Sequence, residues 1–278
     1  MSTLNSADMD WLAALLLDVG AAEIMPRFRN LGDGAVRQKT SAADLVTDAD
    51  VNAERVITDA LMKRFPDALV IGEEAVSDNP GLLEGWSKSD KLAFVVDPID
   101  GTFNFASGVA SFGVMLAVVE AGETIAGIIH DPVGKDWIMA QKGAGAILRR
   151  LNGNESALKV AEPAGSVSQM IGSASWQYMP EPERSIVARN QAQCIGSVAY
   201  RCAAQEYRLL VGGHIHFALY NKLMPWDHLA GALITQEAGG YVRRFDGSMY
   251  TPEDIDGGLL ATTDLDSWNM LREALWRA

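Results

Sequence analysis

Apolar residues near the start of the chain recur at helical spacing. Met9, Leu12, Leu16, Val19 and Ile24, with Asp8 and Asp10 in the first turn, predict an amphipathic helix over about 7–28. A second helix is expected over about 50–64, carried by Val51, Val56, Ile57, Ala60 and Leu61 and ended by Phe65-Pro66. The pattern then changes to short β-type runs at 69–71, 93–96, 114–119 and 125–129. Ala121-Gly122-Glu123 reads as a hairpin turn, and Lys142-Gly143 as a second one between runs at 137–140 and 146–148. Long strands joined by hairpins and framed by two helices predict an antiparallel or mixed sheet.

Asn152-Gly153-Asn154-Glu155-Ser156 is the natural place for a boundary, dividing the chain into 1–152 and 153–278. Past it, strands and helices alternate. Strands are expected at 170–172, 215–218, 241–243 and 259–262, and helices at about 181–193, 197–211, 227–238 and 265–276. The overall expectation is an α/β (α+β) fold.

Composition narrows the function. The chain has 278 residues, 48% hydrophobic and 21% charged, which excludes disorder. Asp and Glu total 36 against 23 Lys and Arg, giving a formal charge of −13 that opposes contact with nucleic acid or an anionic membrane. An anionic substrate stays compatible with that charge if metal cations lie between the two. Cys194 and Cys202 are too few for a disulfide framework and point to a reducing compartment. No basic residue precedes Arg27, and the apolar run 11–17 is cut by Asp18. No signal peptide or membrane span is expected, and the cytoplasm is the expected location.

Candidate chemistry concentrates in Val95-Val96-Asp97-Pro98-Ile99-Asp100-Gly101-Thr102. Pro98 has no N–H, so the chain is expected to leave its strand there, with two carboxylates and the Ile99 carbonyl converging at the strand end. Hard oxygen ligands of this kind suit Mg²⁺. Gly101 permits close approach of backbone N–H groups to a phosphate oxygen. Turn formation alone accounts for Asp-Pro-x-Asp-Gly equally well. Further acids occur in Gly72-Glu73-Glu74, around a helix start at Asp44, Asp48 and Asp50, and in Trp226-Asp227 at another. Loop solvation or N-capping explains each in isolation but not their joint occurrence. The four histidines show no zinc spacing, the two cysteines read as buried thiols, and the tryptophans read as packing groups, Trp226 with a place on the site wall.

With Gly72-Glu73-Glu74, Asp97-Pro98-Ile99-Asp100-Gly101-Thr102 followed by Asn104-Phe105, Trp226-Asp227-x-x-Ala230-Gly231 and Glu237-Ala238-Gly239-Gly240 in this order, the sequence resembles the inositol monophosphatase family of Mg²⁺-dependent, lithium-sensitive phosphatases. The resemblance implies a layered α-β-α-β-α sandwich. It also implies that Glu73, Asp97 and the Ile99 carbonyl bind one Mg²⁺. Asp97, Asp100 and Asp227 would bind a second, and Glu73 would help with a third, weakly held ion. Thr102, bonded to Asp50, would orient the nucleophilic water, and Glu74 would support the ligands. The Gly101 and Thr102 N–H groups would hold phosphate, and Lys39 would belong to a mobile loop closing over the metals. A homodimer is the expected assembly.

The resemblance thins where the leaving group is read. Inositol-selective members carry a glutamate seven residues before the Trp-Asp aspartate, a position held here by Tyr220. Arg201 and Lys222 could neutralise a second anionic group or form a surface pair. The leading expectation is hydrolysis of a small polyol or sugar phosphate. Relatives acting on fructose 1,6-bisphosphate, histidinol phosphate or a nucleotide phosphate are alternatives, as is a regulatory protein that binds the transcription machinery.

Overall fold

A computed structural model describes residues 4–32, 34–39 and 45–277. Asp44 lies outside the described residues. Helix α1 (Ser6–Val19) opens on a capping box in which the Asn5 and Asp8 side chains each accept the other's backbone N–H. The expected single helix over 7–28 is interrupted: after Val19 the chain makes a π-type turn at Gly20–Ile24, and Pro26, with no N–H to donate, prevents it from resuming. A short hairpin of β1 (Val36–Gln38) and β2 (Leu45–Thr47) leads into α2 (Asp48–Arg64).

The first sheet has seven strands in sequence order: β3 (Leu69–Gly72), β4 (Ala93–Asp100), β5 (Gly113–Glu120), β6 (Glu123–Asp131), β7 (Asp136–Gln141), β8 (Ala146–Arg150) and β9 (Glu155–Ala157). Only β3 and β4 are parallel; the rest form an antiparallel meander. Two short helices, α3 (Glu73–Asp78) and α4 (Thr102–Ala106), follow β3 and β4. The second sheet is built from β10 (Ile171–Ala174), β11 (Gly196–Val198), β12 (Phe217–Tyr220), β13 (Tyr241–Arg244) and β14 (Leu259–Thr262), in the order β11-β10-β12-β14-β13. Helices α5 (Glu183–Asn190), α6 (Ala203–Val211), α7 (Pro225–Glu237) and α8 (Leu265–Leu275) complete the chain.

Strand alternation makes the layers. In β4, Phe94 and Val96 pack with Leu12, Leu16, Ile57 and Leu61 of α1 and α2, whereas Val95 faces α6 and α7. In the second sheet Ala218 and Tyr220 join the α6–α7 core, while Phe217 and Leu219 pack with Val187 of α5 and Leu271 of α8. The result is the α-β-α-β-α sandwich. Its central helices are fitted closely: a Cβ on Gly127 of β6 would lie 2.8 Å from the Ala230 carbonyl oxygen of α7, and one on Gly231 would lie 2.1 Å from the Tyr207 ring of α6.

Two expectations need correction. The stretch 197–211 is not one helix: residues 196–198 add an edge strand parallel to β10, and Arg201 takes φ +52°, which a helix cannot include, so α6 starts at Ala203. Nor does the chain leave its strand at Pro98. β4 continues to Asp100 through a bulge, pairing Asp97 with Met115 and Asp100 with Gly113, and the missing Pro98 N–H falls where pairing is already broken.

Candidate active site

The bulge decides where the carboxylates go. In a regular strand, residues three apart face opposite sides of the sheet. The extra residue between Asp97 and Asp100 turns both to one side, and Asp227, in the first turn of α7, meets them there. Oxygens of Asp97, Asp100 and Asp227 lie within 4.8 Å of one another. Asp97 Oδ1 accepts the Ile99 N–H at 2.9 Å. Asp100 Oδ2 accepts the Ala204 N–H at 2.6 Å and the Cys202 thiol at 3.0 Å.

Gly101, at φ +89°, turns the chain from β4 into α4 and presents Thr102. The Thr102 hydroxyl lies 3.1 Å from Asp50 Oδ1 and 3.0 Å from the Ile99 carbonyl, and donates its single hydrogen to one of them. The other Asp50 oxygen accepts from the Thr47 N–H and hydroxyl, so this fully buried residue caps α2 and reaches Thr102 as well. On the opposite side, Lys39 Nζ bridges Glu73 Oε1 and Glu74 Oε1, at 2.8 Å each.

Burial sets the electrostatics. It raises Asp50 to about 6, with Glu73 adding repulsion against the hydrogen bonds from Thr47. Glu74 is raised to about 8 by burial and by Glu73, partly offset by Lys39. Burial and the surrounding carboxylates also hold Asp97, Asp100 and Asp227 above the ordinary carboxylate range. Burial opposes the Lys39 charge, but Glu73 and Glu74 hold its ammonium above the usual value. Such a cluster of hard oxygen donors is relieved of mutual repulsion by a cation, so the donor set fits a divalent metal.

Glu73, Asp97, Ile99, Asp100, Gly101, Thr102, Arg201, Tyr220 and Asp227 all line one cavity of about 470 Å³. The sequence profile of the inositol monophosphatase family matches residues 9–277. The chain belongs to the inositol monophosphatase family. It is a phosphatase that hydrolyses phosphomonoesters. A fructose-1,6-bisphosphatase/inositol-1-monophosphatase of Thermotoga maritima is 33% identical over 216 residues, 76% of each chain. The Nus factor SuhB of Xylella fastidiosa is 32% identical over 216 residues, covering 75% of this chain and 72% of that one. The extragenic suppressor protein suhB of Bartonella henselae superposes with a TM-score of 0.82 at 25% identity, covering 98% of this chain and 100% of that one.

In this member of the inositol monophosphatase family, Glu74 and Lys39 border a neighbouring cleft rather than the main cavity. Arg201 places its guanidinium 4.0 Å above the Phe103 ring centre, at the cavity edge. Trp226 is packed between the sheets and is not part of the cavity wall. His228 borders the cavity, but its ring bonds the Tyr207 hydroxyl and the Lys222 carbonyl, and burial lowers it to about 4. The family motif Glu237-Ala238-Gly239-Gly240 is structural. Its Glu237 carboxylate accepts the Gly143 and Gly145 N–H groups and ties the β7–β8 hairpin to the end of α7.

Sequence reasoning missed Glu54 and Glu206. Glu54 accepts the N–H groups of Glu74 and Ala75 at 2.7 and 2.8 Å, capping α3 and setting where Glu73 and Glu74 start. Glu206 lines the cavity from α6 at 3% exposure. Both sit on otherwise apolar helix faces, Glu54 with Ala53, Ile57 and Leu61, Glu206 with Ala203, Tyr207 and Leu210. An acid on such a stripe was the available signal.

Proposed function

We propose that this phosphatase is Mg²⁺-dependent and acts on small polyol or sugar phosphates. The observation that carries the reading is the convergence of Asp97, Asp100 and Asp227 beside the Asp50–Thr102 pair in one cavity. Glu73, Asp97, Ile99 O, Asp100 and Asp227 are the residues that would hold Mg²⁺. When bound, the metal supplies positive charge for the phosphate oxygens and for the developing charge of the displacement.

The chain's own groups position the reaction. With its hydrogen given to Asp50 Oδ1, Thr102 Oγ1 keeps lone pairs for a hydrogen of the attacking water. The Gly101 and Thr102 N–H groups hold the phosphate oxygens so that phosphorus faces that water. The water oxygen bonds to phosphorus and the ester P–O bond breaks. The proton lost by water is matched by one that the departing alkoxide takes from solvent, leaving an alcohol and inorganic phosphate. Lys39 keeps Glu73 and Glu74 from repelling each other. Arg201 and Lys222 attract a second anionic group where a substrate has one. The formal charge of −13 opposes any role on nucleic acid.

Phosphate release from inositol 1-phosphate, fructose 1,6-bisphosphate and histidinol phosphate, with and without Mg²⁺, tests the reading. Wild type should require Mg²⁺, and Asp97→Asn should abolish turnover. Wild-type activity in that variant at ordinary Mg²⁺, or metal-independent release, overturns it.

A further inference from the structure

One residue of the motif around Thr102 has no part in the chemistry described so far. Asn104 is 8% exposed, and its Nδ2 gives both hydrogens to backbone carbonyls, Ser111 O at 2.8 Å and Tyr200 O at 2.7 Å. The second bond joins α4, at the end of β4, to the turn before α6, 96 positions away in sequence. Tyr200 is also held through its N–H, which donates to Glu206 Oε1 at 3.2 Å.

The next residue is strained. Arg201 has φ +52°, and of the four non-glycine residues with positive φ among the described residues it alone lines the cavity. Glycine adopts this conformation freely, whereas in an L-residue Cβ crowds the carbonyl oxygen that follows. Such a conformation persists only where its surroundings impose it. Here they are Asn104 on the preceding carbonyl and the Phe103 ring, whose centre lies 4.0 Å from the Arg201 guanidinium carbon. Past the turn, the Cys202 thiol and the Ala204 N–H both donate to Asp100 Oδ2, at 3.0 and 2.6 Å. The Cys202 side chain does not cap α6, so the Asp100 carboxylate takes that place from the first sheet. With Oδ2 engaged, Oδ1 is the oxygen that Asp100 keeps for a ligand in the cavity.

We propose that Asn104 is a positioning residue for the phosphatase reaction. By holding Tyr200 it keeps Arg201 left-handed, and the turn so formed fixes Asp100 with one oxygen toward the cavity. Phe103 assists by stacking on the guanidinium. This rests on the reading above that Asp100 works in the site, and adds what holds it there. An extended or right-handed Arg201 would swing Cys202 and Ala204 away from Oδ2 and let the carboxylate turn. The left-handed penalty of a non-glycine residue corresponds to roughly five- to thirtyfold in population, enough to lose the turn once Asn104 no longer opposes it.

Cys202 reports on the turn. At 2% exposure it should react slowly with iodoacetamide in the whole chain without metal or substrate, the modified site being read by peptide mass spectrometry. Asn104→Ala should raise that rate about tenfold, an order of magnitude set by the same penalty. It should lower kcat by a similar factor on the faster of inositol 1-phosphate and phenyl phosphate, neither of which brings a second anion to Arg201. In an Arg201→Gly background the left-handed turn needs no support, and the same change should alter either quantity by about threefold or less. If Asn104→Ala does not fold, Phe103→Leu replaces it: labelling should quicken in the otherwise native chain and stay unchanged once Arg201→Gly has removed the guanidinium. Labelling that does not respond to Asn104→Ala, faster labelling with kcat unchanged, or equal effects in both backgrounds overturns the assignment. A residue that merely packs α4 would cost the same whatever stands at 201. Failure of the metal reading is separate, since it shows as wild-type turnover in Asp97→Asn and does not touch labelling done without metal.

Discussion

Glu54 offers a direct test of how the acidic pair at the start of α3 is held. It is 5% exposed, and its two oxygens accept the Glu74 and Ala75 N–H groups separately. Glu54→Gln keeps the shape but provides one carbonyl oxygen and one NH₂. One of the two N–H groups then faces a donor instead of an acceptor. Losing a hydrogen bond to a charged group and leaving a buried donor unmet costs about 2–3 kcal/mol. With 278 residues and an unfolding entropy of about 2.1 cal/mol/K per residue, the entropy is roughly 0.6 kcal/mol/K, so Tm should fall by roughly 3–5 °C. Activity should fall further than stability accounts for, because the same N–H groups fix the direction from which Glu73 and Glu74 approach the site. The assays are thermal unfolding and Mg²⁺ activation of phosphate release in the same preparations. A Tm within about 1 °C of wild type, an order-of-magnitude threshold on that scale, together with an unchanged Mg²⁺ requirement, would refute the reasoning.

Gly231→Ala puts a methyl 2.1 Å from a Tyr207 ring carbon in the fully buried α6–α7 contact. It should cost about 3 kcal/mol or more, read as a lowered urea midpoint. His130 is buried against Trp137 with Nδ1 at 3.0 Å from the Asp136 carbonyl, and burial lowers it from 6.5 to about 4. The unfolded chain takes up the proton first, so its contribution is fully present above pH 6.5 and lost as pH falls toward 4. Between about pH 7 and 5 the wild type should lose about 2 kcal/mol more unfolding free energy than His130→Asn, measured by urea titration at both pH values.

Much of this was readable in the sequence because it depends on short-range patterns. The strand feeding Asp97, the glycine after Asp100 and the helix starting at Pro225-Trp226-Asp227 are all local signals, and they sit where the chemistry is. What resisted reading depends on contacts across the chain. Pro98 looked like a strand end because its missing N–H is visible in sequence, while the bulge that absorbs it is a property of the pairing with β5. The run 197–211 has helical composition throughout, and only the edge position beside β10 draws its first residues into a strand. Glu54 bonds residues 20 and 21 positions away, and Glu206 meets Tyr220 only after two elements are packed. Neither partner can be inferred from spacing.

The α6–α7 layer has a consequence for how the chain is made. Val95, Met115, Ala117, Ile129 and Ile138 of the first sheet are covered by helices that lie between residues 203 and 237. While the ribosome is still adding those residues, one whole face of a nearly finished seven-stranded sheet stays open to water. A fragment ending at residue 152 would keep that face exposed for good and should precipitate or recruit chaperones instead of behaving as a free-standing unit.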